Sequence, residues 1–214
     1  MSTTTDTGTR TTEVFRVYIK ATPEAIWEAI TSEEWNGRYG YHAAARYDLS
    51  PGGTYECFAS DEMKQFAPEM PDVIVDGEVV EVDPPNRLVQ TYRMHFDPSQ
   101  VEEGFTTVTW EIRAEGESLS RLTVTHDVTD APVMAGTIAA DGALQEGGGG
   151  WVMILSDLKT LLETTASERF RRRWSMSRSR SSPPIVGSRR CLIWTSRHSA
   201  RSTGPPRHCL NPIS

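Results

Sequence analysis

The chain has 214 residues, 37% of them hydrophobic, with 22 Lys and Arg against 29 Asp and Glu and a formal net charge of −7. That length fits one globular domain with some excess, and the hydrophobic share is low for a chain folded throughout. No run approaches the ~20 apolar residues of a membrane helix, the opening Met1-Ser2-Thr3-Thr4-Thr5-Asp6 lacks the marks of a secretory signal, and Cys57, Cys191 and Cys209 are too far apart for a disulfide framework or a zinc site.

Residues 1–12 are Thr-rich without apolar periodicity and are expected to form a disordered leader. From Glu13 to Lys20, Phe15, Val17 and Ile19 alternate with Arg16, Tyr18 and Lys20, the period-2 pattern of a half-buried strand. Thr22, Pro23 and Glu24 then supply a cap, a proline at the first helical position and an acid at the positive helix end. Ile26, Trp27 and Ile30 put an apolar stripe behind them, and a second turn is expected through Trp35. Pro51-Gly52-Gly53 separates strands near 45–49 and 54–59, and residues 60–72 read as a loop.

The β-branched segment 73–82 is a strand ended by Asp83-Pro84-Pro85-Asn86, whose prolines cannot donate to a ladder. In the strand 87–96, Leu88, Gln90, Tyr92 and Met94 share a face; in 105–113, Val108, Trp110 and Ile112 do; in 121–128, Leu122, Val124, His126 and Val128 do. Residues 131–150 have no clear period and end in the glycines of 147–150. From there Trp151, Ile154, Leu155, Leu158, Leu161 and Leu162 mark one apolar helix face. A strand, a helix, about six strands in an antiparallel meander and a terminal helix specify an α+β fold.

The composition changes near Ser167. Residues 168–214 hold 11 Arg, no Lys and one acid, a net of +10, so residues 1–167 keep the other 11 bases and 28 acids, a net of −17. The expected division is a folded domain over 13–166 and an Arg/Ser/Pro-rich disordered tail over 167–214. The tail's charge would suit RNA, DNA or anionic lipid. Its lack of Lys beside abundant Arg, Ser, Pro, Cys, His and Trp better matches a GC-rich gene read out of frame, and a frameshifted or read-through end is the preferred reading.

Five segments carry a family resemblance: 17–30, Pro51-Gly52-Gly53, 77–92, Leu122-Thr123-Val124-Thr125-His126, and Gly150-Trp151 with 155–163. In this order they resemble the SRPBCC (START-related, helix-grip) superfamily, most of all proteins like the C-terminal domain of the activator of heat-shock-protein-90 ATPase. The resemblance covers about residues 13–164. It implies a helix-grip fold, a curved antiparallel sheet wrapped around a long C-terminal helix with a cavity between them. The family's helix usually begins well before the Trp, where this chain has Gly147–Gly150, so a late start is expected, with 141–150 as a flexible flap. Chemistry is not implied, because a fold hosts many functions.

No catalytic constellation is legible. His42, His95, His126, His198 and His208 form no pair at metal-ligand spacing, and Gly147–Gly150 lacks the Lys-Ser/Thr of a P-loop, so no metal or cofactor is expected. Cys57 reads as a small buried residue, and Glu81 and Asp83 as turn acids. His126 lies on the inner face, where it could bond a ligand or act as an acid/base, although a core histidine bonded internally is the more common outcome. Gln90, Tyr92, Met94, Trp110, His126 and Trp151 are expected to line the cavity; the aromatics suit an apolar ligand or simply fill the core, and an inward Gln90 demands a partner.

The −17 charge argues against nucleic-acid binding by the folded domain and suits a cytoplasmic protein or one docking on a basic surface. The leading expectation is a non-enzymatic domain binding a small hydrophobic or aromatic ligand. The alternatives are a cyclase, dehydratase or hydrolase using His126, and a co-chaperone-like stimulator of a chaperone ATPase.

Overall fold

A computed structural model describes the backbone over residues 11–139 and 150–179 and the side chains of these through residue 165. Thirteen elements follow one another among the described residues: β1 (Thr12–Ile19), α1 (Pro23–Thr31), α2 (Glu33–Asn36), β2 (Ala45–Tyr47), β3 (Thr54–Phe58), α3 (Asp61–Phe66), β4 (Val73–Asp83), β5 (Arg87–Met94), α4 (Pro98–Glu103), β6 (Thr106–Ala114), β7 (Ser120–Asp127), α5 (Pro132–Ala139) and α6 (Gly150–Ser179). The strands make one sheet in the order β1-β7-β6-β5-β4-β3-β2, antiparallel at every pairing. β2 to β7 form the expected meander, and β1 closes its far edge against β7. Register shifts at Cys57/Phe58 and Val79/Glu81 bend the sheet.

The alternating strands bury one face each, and the core gathers on the concave side. Ile19, Leu88, Val108, Leu122 and Val124 are fully enclosed there. α1 forms as its cap signals require: Thr22 Oγ1 accepts from the Ala25 N–H at 3.4 Å, and Pro23 opens the helix. Its Ile26 and Ala29 are completely buried. α6 lays Trp151, Leu155, Leu158 and Leu162 into the same core. Three polar contacts fix its position: the Lys20 N–H donates to Glu163 Oε1 at 2.9 Å, Lys159 Nζ donates to the Tyr18 carbonyl at 2.7 Å, and the Gly40 N–H donates to Asp157 Oδ2 at 2.9 Å. This is the helix-grip fold.

Several local differences from the sequence reading have physical causes. β1 begins at Thr12, one residue early, because it pairs with Asp127. The expected loop 60–72 contains α3, capped by Ser60 Oγ, which accepts from the Met63 N–H at 3.3 Å. α4 is held by a capping box between Asp97 and Gln100. α5 occupies part of the stretch without a clear period, and its first two N–H groups, Val133 and Met134, donate to the Glu103 carboxylate at 2.7 and 2.8 Å.

Among the described residues α6 spans Gly150–Ser179, and the stretch before it, where a late start and a flap were expected, lies almost wholly outside them. The helix continues through Ser179, past residue 166 where the domain was expected to close. Residues 168–179 contain neither Gly nor Pro and are rich in Arg, a good helix former. The leader through residue 10 and the tail from residue 180 lie outside the described residues. No helix among the described residues is long and apolar enough to cross a membrane.

Candidate functional site

The register of β5, β6 and β7 builds the site. Leu88 pairs with Trp110, Gln90 with Val108 and Tyr92 with Thr106 across β5 and β6, while Val108 pairs with His126 across β6 and β7. Period 2 then turns Gln90, Tyr92, Thr106, Trp110 and His126 to the concave side, and the first turn of α6 brings Trp151 over them. Five of the six residues expected to line a cavity therefore converge. Met94 is half-buried and lies farther along β5, where its Sδ accepts from Gln100 Nε2 at 3.9 Å; Gln100 also donates to Thr137 Oγ1 at 3.2 Å, joining α4 to α5.

His126 is completely enclosed and bonded at both ring nitrogens. The Trp151 indole N–H, which can only donate, reaches Nδ1 at 3.1 Å. Nε2 lies 2.7 Å from Thr106 Oγ1, whose own hydrogen goes to the Tyr92 carbonyl at 2.9 Å. The network therefore assigns the neutral tautomer with its proton on Nε2. Burial pushes the imidazole pKa from 6.5 down to about 4, against the opposing charge of Asp127. At neutral pH His126 is an uncharged core group tying β7, β6 and α6 together.

The rings around it form a continuous aromatic path. Tyr92 lies 5.1 Å from His126 and 6.0 Å from Trp151, and Trp110 stands edge-on to Trp151 at 5.2 Å between centroids. Tyr55 extends the path from Tyr92 at 6.4 Å, and Tyr47 follows at 4.7 Å. The Gln90 amide lies beside the Tyr47 and Tyr55 hydroxyls and partly offsets the upward pull of burial on both phenols. Burial raises the phenol pKa values of Tyr39, Tyr47, Tyr55 and Tyr92, which stay protonated.

Two polar atoms of this face have no hydrogen-bond partner: Gln90 Oε1, on a residue 1% exposed, and Trp110 Nε1, on one 5% exposed. The rings are packed against one another. The open depression recorded on the surface, about 420 Å³, lies elsewhere, between His42, Ala44 and residues 58–62.

Thr106, Tyr47 and Tyr55 were not singled out from sequence. Thr106 sits two residues before Val108 on the inner face of β6, so strand parity carried the signal, but nothing local pairs it with His126, twenty residues on. The remaining chemistry is unreactive or on the outside. The Cys57 thiol is pushed up to about 12 by burial and donates to the Ala43 carbonyl at 3.5 Å. Glu81 receives Arg87 Nε at 3.1 Å and Asp83 receives Asn86 Nδ2 at 3.5 Å, the turn roles expected of them. Asp76 is gripped by Arg93 at 2.6 and 3.0 Å. No cluster suited to a metal ion occurs among the described residues.

Residues 20–163 match the family described as Activator of Hsp90 ATPase homolog 1-like protein. The chain belongs to that family. Solved structures similar to this family member include PFC0360w from Plasmodium falciparum, an HSP90 activator, at 20% identity and a TM-score of 0.51, covering 71% of this chain and 95% of that one. Protein MLL2253 from Mesorhizobium loti gives 19% identity and a TM-score of 0.52, with coverage of 72% and 98%. DynU16, from the dynemicin biosynthetic locus, gives 19% and 0.50, with coverage of 72% and 48%. At such identities the likeness establishes the fold that this chain shares with them. No curated protein matches the chain.

Proposed function

We propose that the protein binds a small hydrophobic or aromatic ligand between the concave face of the sheet and α6, without catalysing a reaction on it. The observation that carries this reading is Gln90 Oε1, buried on the inner face with no hydrogen-bond partner. An unsatisfied buried acceptor costs about 1–3 kcal/mol, which a ligand donating to it removes. His126 favours binding over chemistry: both nitrogens are engaged and burial keeps it neutral, so no basic nitrogen faces a substrate.

Native mass spectrometry after exposure of the purified protein to a lipid and metabolite extract tests the proposal. The expected result is a retained small molecule that Gln90→Leu loses. Emergence of the wild-type protein with no added mass overturns it. For the catalytic reading, His126→Ala would have to abolish a turnover that the wild type shows.

Family membership and the likeness to the Plasmodium falciparum HSP90 activator support a second reading, contact with a chaperone ATPase in the cytoplasm. Stimulation of a purified chaperone's ATP hydrolysis is its measurement, and an unchanged rate at saturating protein counts against it.

A further inference from the structure

The ligand-binding reading leaves the chemical class of the ligand open, and the polar inventory of the inner face narrows it. Gln90 Oε1 is an acceptor without a donor, and the Trp110 indole N–H is a donor without an acceptor; both residues are more than nine-tenths buried. Because Gln90 pairs with Val108 and Leu88 with Trp110, the two are diagonal neighbours on one face of β5 and β6. Diagonal side chains start about 7–8 Å apart, within reach of a common small group for an amide and an indole. A hydroxyl is the smallest group that both donates and accepts.

Charge narrows the choice further. Every buried polar residue described is uncharged at neutral pH: the amides, the hydroxyls and His126, whose two nitrogens are already bonded. The tyrosine hydroxyls beside Gln90 keep their protons. An ionised carboxylate or ammonium would enter without a counter-charge, and buried ions are costly unless paired. The surroundings are aromatic, with Tyr92 and Trp110 each packed against Trp151 at 6.0 and 5.2 Å, so a ligand seated here takes the place of ring–ring contacts. Flat apolar rings match such surroundings.

We infer that the ligand is a neutral, planar aromatic alcohol whose hydroxyl donates to Gln90 Oε1 and accepts from the Trp110 indole N–H. This rests on the ligand-binding reading above and specifies its chemistry.

Isothermal titration of the whole protein at neutral pH with 2-naphthol, 2-methoxynaphthalene and 2-naphthoate tests it. The alcohol is expected to bind about 10-fold tighter than its methyl ether, which cannot donate to Gln90, a factor equal to ~1.4 kcal/mol. The carboxylate is expected to give no heat. Gln90→Leu should bring the alcohol down to the ether's affinity and leave the ether's own within about three-fold, whereas Trp110→Phe, which removes the donor that both oxygens accept from, should weaken alcohol and ether alike by about 10-fold, the loss expected of one hydrogen bond. Should Gln90→Leu fail to fold, Trp110→Phe and the wild-type series decide the matter. Equal binding of alcohol and ether, binding of the carboxylate, discrimination that survives Gln90→Leu, or a Trp110→Phe protein that binds both probes as the wild type does overturns this inference and leaves ligand binding standing. So does a wild type that ignores all three probes yet retains a molecule from the extract. A wild type that ignores the probes and retains nothing overturns both.

Discussion

Trp151 donates its indole N–H to Nδ1 of His126 at 3.1 Å, so a side chain in the first turn of α6 is anchored to β7 by one hydrogen bond between two buried rings. The bond spans 25 residues of sequence and completes a relay through Thr106 to the Tyr92 carbonyl. Trp151→Phe keeps most of the ring volume but leaves Nδ1 buried without a donor. It should lower stability by about 1–3 kcal/mol, read as a lower urea midpoint. Thr106→Val, which strips Nε2–H of its acceptor, should cost a similar amount. Midpoints unchanged in both variants would mean that the relay does not hold the helix.

The same histidine makes stability depend on pH. Its folded pKa of about 4 lies below its ordinary 6.5, so on acidification the unfolded chain takes up the proton first. The His126 contribution is complete above about pH 6.5 and is lost as pH falls toward 4, up to about 3 kcal/mol for a shift of this size. Burial raises Asp76 and Glu163, but Arg93 and His95 beside the first and Lys159 and Lys20 beside the second hold both below their usual range, so they act only toward the acid end. Urea titrations at pH 7 and pH 5 should show a fall for wild type that His126→Gln largely abolishes. An equal fall in both proteins would assign the effect to other groups.

Gly77 lies in β4 where the backbone runs against Thr91: the Glu78 N–H donates to Thr91 Oγ1 at 2.7 Å, and a Cβ on Gly77 would collide with the Thr91 carbonyl. Gly77→Ala must push β4 and β5 apart, at a cost of about 1–3 kcal/mol or more. Thermal unfolding measures it, and a melting temperature within error of wild type would contradict the close approach. By contrast nothing stands near Gly116, so Gly116→Ala is the control expected to leave the melting temperature unchanged.

Leu158 is wholly buried where α6 meets the core. Leu158→Ala should destabilise by about 2–5 kcal/mol through lost burial and the cavity it leaves. Exposed Val152, on the opposite side of the same helix, should tolerate Ala with a change below about 0.5 kcal/mol. Equal effects at the two positions would mean that α6 is not seated on the sheet as described.

Much of the architecture was legible because it rests on local periodicity. Alternation in 87–96, 105–113 and 121–128 put Gln90, Trp110 and His126 on inner faces, and all three are buried. Short helices were harder to see: α3 and α4 have six residues each, too few for a 3.6-residue period to show, and their caps at Ser60 and Asp97 were the available signals. The ligand, the chaperone contact and the six cavity residues as a binding site remain proposals that the experiments above address.

The amino-acid sequence by itself determined the strands, α1 and the apolar face of α6, the inward set of side chains, the acidic and basic segments, and the family. Those properties depend on spacing and composition, which neighbouring residues carry. Only the tertiary structure decided what the inward groups do with one another. It joined Trp151 to His126 and His126 to Thr106, and left Gln90 Oε1 and Trp110 Nε1 without partners. Hydrogen bonding is a pairwise matter of a few ångströms, and register across β5, β6, β7 and α6 sets which distant residues come that close.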